Sequence, residues 1–151
     1  MIYLAADHRG FVLKEELKEY LALQGYEIED LGAFQLDPND DYVDFAIAAS
    51  EKITRDPGRE RGIFICGSGV GMDVVANKFK GVRAALCPDK DAAIQSREHG
   101  NTNVLVLAAD NGSIEKSKEV VDAWLKTPFS GEERHVRRLK KIEEIENKNF
   151  K

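Results

Sequence analysis

Hydrophobic residues recur along the chain with two alternating spacings, and these spacings predict strands and helices in alternation. Short apolar, β-rich runs predict five strands, at residues 2–6, 26–31, 63–66, 82–87 and 104–108. Apolar positions three or four apart predict a helix after each strand and a further helix near residues 131–147. No linker, repeat or low-complexity segment interrupts the pattern, so residues 1–151 are predicted to form a single domain.

Strands that alternate with helices predict an α/β fold, in which helices cover both faces of a parallel sheet. Ligands of such folds bind beyond the carboxyl ends of the strands, so candidate functional residues should follow the strands directly. Asp7 and His8 follow the first strand, residues 66–71 close the third, and Asp110 follows the fifth. His99 is predicted to lie in the loop that leads into the fifth strand.

Composition and charge narrow the class of protein. Charged residues make up 32% of the 151 residues and hydrophobic residues 42%, which is typical of a soluble globular protein rather than a disordered or membrane-spanning chain. The net charge of −5 disfavours nucleic acid as a partner. The N-terminal segment MIYLAADHRG enters a strand at once, without a basic or long apolar leader, so a cytoplasmic protein is expected.

The segment ICGSGVGMDVVANK joins the third strand to a helix through three closely spaced glycines. The segment alone is compatible with a tight structural turn or with a dinucleotide-binding loop. A nicotinamide cofactor is disfavoured because the spacing is GxGxG and the motif follows the third strand instead of the first. A receiver-type phosphorylation module is disfavoured too, since Cys66 stands where the acceptor aspartate would follow the third strand.

Both cysteines end predicted strands, but their surroundings differ. They have no CxxC spacing, so neither a disulfide framework nor a zinc cluster is expected. Cys66 precedes the glycine turn and a helix N-terminus, where a positive potential lowers the pKa of a thiol and prepares it as base or nucleophile. A buried apolar role is the alternative for Cys66. Cys87 is followed by Pro88 and has no glycine turn, which favours a structural role.

His8, His99 and His135 are each compatible with ordinary packing or surface roles, but their placement near turns and helix ends makes all three candidates. Arg134 and Arg138 are four residues apart on one predicted helix face, so their guanidinium groups could hold one phosphate. A solvated charged face is the alternative for this pair. Nucleic-acid contact by the same basic segment is disfavoured by the glutamates around it.

Several segments, in order and over nearly the whole chain, resemble ribose-5-phosphate isomerases of type B and their galactose-6-phosphate isomerase relatives. The segments are AADHRGF, ICGSGVGMDVVANK, GVRAALC, SREHGNTNVL, and VVDAWL followed by GEERHVRRLKKI. The resemblance implies a Rossmann-like three-layer α/β/α sandwich with five parallel strands in the order 2-1-3-5-4. It also implies a homodimer, which could pair into a homotetramer, with the active site between subunits. No cofactor and no metal are implied.

The resemblance implies aldose–ketose isomerisation of a sugar phosphate, with ribose 5-phosphate and ribulose 5-phosphate as the preferred pair. Another aldose phosphate, or a non-catalytic module that binds a sugar phosphate or nucleotide, is the alternative. Cys66 matches the base, His99 the residue that assists ring opening, and Ser68 keeps the usual hydroxyl beside the base. The implied substrate contacts are Asp7, His8, Gly67, Gly69, Val70, Gly71, Gly100, Asp110, Arg134, His135 and Arg138. Arg134 and Arg138 are implied to reach the site across the dimer interface, where the C-terminal helix is expected to pack.

Three positions depart from the family pattern. Gly100 stands where asparagine is usual, Asp110 where a phosphate-contacting arginine is usual, and Val43 where proline is usual. A carboxylate beside a phosphate dianion would repel it. We therefore expect Asp110 either to turn away from the phosphate or to select a sugar other than ribose 5-phosphate, and Val43 to affect only its loop.

Overall fold

The computed structural model of the chain describes residues 1–150, and Lys151, with which the predicted domain ends, lies outside them. The strands are β1 (Ile2–Ala6), β2 (Ile28–Asp30), β3 (Arg61–Cys66), β4 (Ala84–Leu86) and β5 (Val104–Ala108). The helices are α1 (Phe11–Leu23), α2 (Tyr42–Ile53), α3 (Val70–Ala76), α4 (Lys90–Gly100), α5 (Ile114–Lys126) and α6 (Glu133–Asn149). Strands and helices alternate as predicted, and α5 and α6 follow the last strand.

All strand pairs are parallel, and the order across the sheet is β2-β1-β3-β5-β4, which confirms the predicted topology. Helices α1, α4 and α5 pack on one face of the sheet, and α2 and α3 pack on the other. The central strands β1, β3 and β5 are apolar on both faces because each face is covered by a helical layer. The fold is therefore the predicted three-layer α/β/α sandwich.

The structure corrects several predicted boundaries. Strands β2 and β4 have only three residues each, because they form the two edges of the sheet and pair with one neighbour. Helix α4 continues to Gly100, so His99 lies in its last turn and not in a loop as predicted. The helix ends at Asn101, which adopts the left-handed conformation (φ 43°) that asparagine tolerates better than most residues.

Helix α6 carries an apolar stripe that the rest of the chain leaves largely uncovered. Val136, Ile142 and Ile145 are 48%, 43% and 59% exposed, and His135 is the buried residue of the helix. A cavity of about 480 Å³ lies between this stripe and the loops before β3 and β4. Such a stripe is what the expected dimer interface would need, and the interface stays a prediction. Neither α6 nor another helix within residues 1–150 is long and apolar enough to cross a membrane.

Candidate active site

Cys66 is the last residue of β3 and lies at the carboxyl edge of the sheet, where the sequence placed the site. The residue is only 4% exposed. Its carbonyl oxygen accepts a hydrogen bond of 2.9 Å from the backbone N–H of Ala109, and the Gly67 carbonyl accepts one of 3.0 Å from that of Asp110. These bonds fasten the turn beyond β3 to the segment beyond β5, so the thiol and Asp110 belong to one rigid edge.

The glycine turn leaves backbone donors free next to Cys66. Gly69 has a φ of 78°, and a Cβ there would lie 2.5 Å from Leu86 Cδ1, so both the turn and the packing require glycine. Ser68 is exposed, and its Oγ accepts a weak hydrogen bond of 3.3 Å from the backbone N–H of Val70. The backbone N–H groups of Ser68 and Gly69 have no hydrogen-bond partner among the described residues. They can therefore donate to a bound oxyanion.

Asp7 is buried directly after β1, and it shapes the loop that leads into α1. Its Oδ1 accepts hydrogen bonds from the backbone N–H groups of Arg9 (3.0 Å) and Gly10 (3.1 Å). A Cβ at Gly10 would lie 2.6 Å from the carbonyl oxygen of Ile65, so the start of α1 rests directly on β3. Asp7 thus fixes this loop beside Cys66, whether or not it also contacts substrate.

His8 is held by Asp40, a residue that the sequence pattern did not single out. Asp40 Oδ1 accepts from the backbone N–H of His8 at 2.9 Å and lies 2.7 Å from His8 Nδ1. With Nδ1 as the donor in that bond, Nε2 remains for a ligand. Asp7, His8 and Asp40 present possible metal-ligand atoms within 4.8 Å of one another. Hydrogen bonds within the chain hold Asp7 Oδ1 and Asp40 Oδ1, and Asp40 Oδ2 is buried without a hydrogen-bond partner among the described residues.

Two further residues at this edge escaped sequence reasoning. Tyr42 begins α2, and its ring lies against Gly71, where a Cβ would come within 2.6 Å of it. Arg9 donates a hydrogen bond from Nη2 to Asp110 Oδ2. The negative charge of Asp110, which stands where the family usually has arginine, is thus balanced by a cation from the loop after β1. In the sequence, Arg9 could have been singled out as a candidate because it directly follows the pair Asp7 and His8.

A second cavity, of about 300 Å³, opens beside Ser68 between β4, β5 and α5, and Cys87 and Lys116 are among its lining residues. Burial raises the pKa of the Cys87 thiol to about 11, so this thiol is protonated at neutral pH. The Cys87 Sγ donates weakly to the carbonyl of Ala85. These features agree with the predicted structural role of Cys87.

The remaining candidate residues cluster around the end of α4 and the start of α6. The rings of His99 and His135 are 4.3 Å apart, and His135 is 3% exposed. His135 Nε2 accepts from Arg134 Nε at 3.3 Å, which leaves Nδ1 to donate to Ser130 Oγ at 2.8 Å. Burial, followed by the charges of His99 and Arg134, lowers the pKa of His135 and favours this neutral form. Arg138 is exposed one turn further along α6.

The two clusters lie at opposite ends of the strands. The cluster at the carboxyl ends is called the Cys66 edge, and the cluster at the amino ends is called the His99 edge. Cys66 is paired with Ala108 at the end of β5, whereas α4 ends just before β5 begins at Val104. Four residue steps along a strand span about 13 Å. Gly100 stays with the second cluster, where its carbonyl accepts from Arg83 Nε at 3.0 Å. One chain therefore brings Cys66 together with Asp7, His8 and Asp110, but not with His99 or the α6 arginines.

Comparison with known families agrees with the fold. The family model described as Ribose/Galactose Isomerase matches residues 2–142. The chain belongs to this family. Members with related sequences include a probable ribose-5-phosphate isomerase B of Mycoplasma genitalium, 41% identical over 93% of this chain and 92% of the relative. Ribose-5-phosphate isomerase B of Mycobacterium tuberculosis is 39% identical over 96% of this chain and 89% of its own.

Solved structures of ribose-5-phosphate isomerase B share the whole architecture. The enzyme from Mycoplasma genitalium with bound ribulose-5-phosphate superposes with a TM-score of 0.95, at 40% identity, over 98% of this chain and 97% of that one. The enzyme from Clostridium thermocellum superposes with a TM-score of 0.92, at 39% identity, over 97% of each chain. The chain belongs to the ribose/galactose isomerase family, but the roles given above to its individual residues stay predictions.

Proposed function

We infer that the chain is an aldose–ketose isomerase that interconverts ribose 5-phosphate and ribulose 5-phosphate. The observation that carries this inference is the placement of Cys66 beside two unpaired backbone N–H groups, in a chain of the ribose/galactose isomerase family. The bound ligand of the Mycoplasma genitalium relative supports the choice of sugar.

The thiolate of Cys66 acts as the base that shuttles a proton between C2 and C1. It removes the proton from C2 of the open-chain aldose, and the electrons of that C–H bond form the C1=C2 double bond of an enediolate. The O2 hydroxyl proton passes to O1, and Cys66 returns its proton to C1 to give the ketose. The N–H groups of Ser68 and Gly69 stabilise the enediolate oxygen, a contribution of about 3 kcal/mol per donor.

A complete site combines the Cys66 edge of one subunit with the His99 edge of a second. His99 of the partner subunit assists ring opening, and Arg134 and Arg138 of the partner subunit bind the phosphate. The distance between the two edges within one chain supports this arrangement, as does the exposed apolar stripe of α6. We therefore propose a homodimer. A cytoplasmic location suits it, because sugar phosphates are charged and do not cross a lipid bilayer unaided.

Isomerisation in deuterated water tests the proposed function. The wild-type protein should convert ribose 5-phosphate and wash deuterium into the sugar at C1 or C2, whereas a protein that only binds the sugar should not. The Cys66→Ala variant should keep its fold and bind substrate but lose at least about a hundredfold in kcat, the usual contribution of a positioned base. Cys87→Ala is the matched control, since that thiol is protonated and structural.

Two results would contradict the proposal. Absence of both ketose and deuterium incorporation in the wild-type protein would exclude isomerisation of this sugar. A Cys66→Ala protein within about threefold of wild-type kcat would exclude Cys66 as the base.

A further inference from the structure

We propose that Arg9 binds the phosphate of the substrate and that Asp110 positions its guanidinium group. The proposal rests on the proposed function, because a sugar phosphate is the ligand that brings the anion to this edge. It assigns a substrate contact within the same subunit as Cys66, in addition to the arginines expected from the partner subunit.

Arg9 lies against the glycine turn that follows Cys66. A Cβ built on Gly67, the residue after Cys66, would lie 2.5 Å from both Cζ and Nε of Arg9. The guanidinium group therefore lies flat against the backbone of the glycine turn, where glycine alone leaves room for it. A sugar phosphate whose enediolate oxygen is held by the N–H groups of this turn therefore binds beside Arg9.

Arg9 is held in place at both its backbone and its guanidinium group. The backbone N–H of Arg9 donates to Asp7 Oδ1, and its Nη2 donates to Asp110 Oδ2. The backbone N–H of Asp110 donates in turn to the Gly67 carbonyl at 3.0 Å. An arginine fixed in this way loses little conformational entropy when it binds a ligand.

The ion pair between Arg9 and Asp110 contributes little to the stability of the fold. The side chains of Arg9 and Asp110 are 54% and 42% exposed, and exposed ion pairs contribute little to stability. A guanidinium has five N–H donors. Within residues 1–150, the guanidinium group of Arg9 makes one hydrogen bond, to Asp110. The remaining donors are free for the oxygens of a phosphate, with which a guanidinium forms paired hydrogen bonds.

Carboxylates dominate the charge at this edge of the sheet. Asp7, Asp40 and Asp110 all lie at this edge, and a phosphate dianion approaching three carboxylates would be repelled without a cation among them. Arg9 supplies that cation in contact with the turn. Asp110 fixes the cation but also neutralises part of its charge, which distinguishes its role from that of a ligand.

Substitution of Arg9 by glutamine tests the proposal, with Arg59→Gln as the matched control on an exposed arginine in the turn before β3. Loss of one charge-assisted contact to phosphate lowers affinity about tenfold to a hundredfold. Arg9→Gln should therefore raise KM for ribose 5-phosphate about tenfold or more and change kcat by less than about threefold. Titration calorimetry with inorganic phosphate should show the same loss of affinity, and Arg59→Gln should match wild type in both measurements.

Asp110→Asn separates positioning from binding, because the amide keeps an acceptor for Arg9 and removes a negative charge. This variant should bind inorganic phosphate as tightly as wild type or more tightly. The proposal is overturned if Arg9→Gln leaves phosphate affinity unchanged, or if Asp110→Asn weakens phosphate binding as much as Arg9→Gln does. Phosphate calorimetry needs no turnover, so a wild-type protein that binds phosphate through Arg9 but forms no ketose would refute the proposed function alone.

Discussion

Two inactive variants of this chain should restore activity to each other when one carries its defect at the Cys66 edge and the other at the His99 edge. Cys66→Ala removes the proposed base, and His99→Asn removes the proposed ring-opening group. The two residues lie at opposite edges of the sheet, separated by at least the length of β5. A site that needs both must take them from two subunits, so a mixed dimer contains one site with both defects and one site with neither.

The size of the recovery follows from this geometry. Random exchange between equal amounts of the two variants gives mixed dimers as about half of all dimers. Half of the sites in each mixed dimer are intact, so the mixture should reach about a quarter of wild-type activity. The assay is ketose formation from ribose 5-phosphate after refolding from a common denatured mixture, with subunit exchange verified by a mass tag on one variant.

A matched mixture tests the assignment of His99 itself. Arg134→Ala/Arg138→Ala places its defect on the same edge as His99→Asn, so mixing these two variants should recover no activity. If the mixture of Cys66→Ala and His99→Asn shows no activity after verified exchange, the shared site is refuted. Recovery in the second mixture would show that His99 and the arginines serve different sites.

Two further predictions concern stability, each measured by urea unfolding at one fixed protein concentration. Burial alone would raise the pKa of the Asp30 carboxyl, but hydrogen bonds from Lys14 and Lys18 lower this pKa below its usual value of 3.8. The stability from this group is therefore present above about pH 4 and is lost as pH falls through the lowered pKa. Asp30→Asn should remove that acid dependence and, near pH 7, cost about 3 kcal/mol because Lys14 is fully buried. Trp124→Ala should cost about 3–5 kcal/mol, since the ring is 1% exposed and its Nε1 donates to Thr102.

The controls for these two predictions lie on exposed positions. Val74→Ala, at a side chain 52% exposed, should change the free energy of unfolding by less than about 0.5 kcal/mol. An Asp30→Asn protein whose stability falls between pH 5 and pH 3 as steeply as wild type would contradict the first prediction. A loss below about 1 kcal/mol in Trp124→Ala would contradict the second.

The sequence predicted the sheet well where burial dominates. The strands β1, β3 and β5 are apolar on both faces, so their runs of hydrophobic residues were unambiguous. The edge strands β2 and β4 were predicted too long, because an apolar run does not reveal where pairing with a single neighbour stops. The strand order came from the family resemblance and not from the hydrophobic pattern.

The candidate site was predicted as a set of residues but not as an arrangement. Asp7, Cys66 and Asp110 were singled out because each lies at or just beyond the carboxyl end of a central strand. The pairing of Arg9 with Asp110 joins residues far apart in sequence, and no local pattern signals it. His99 was assigned to the loop before the fifth strand because it precedes the Gly100-Asn101 turn, whereas α4 continues to Gly100 and ends at Asn101. In either assignment His99 precedes β5, and it therefore lies at the edge opposite Cys66, which ends β3.

The close approach of Gly10 to the backbone of Ile65 couples two parts of the Cys66 edge mechanically. The loop that bears Asp7, His8 and Arg9 cannot shift without pushing against the strand that delivers the thiol. The spacing between the loop after β1 and the end of β3 is therefore set before a substrate binds, and no binding energy is consumed in bringing the two together. A single methyl group at position 10 would widen that spacing and so alter the fit of a sugar to the proposed base.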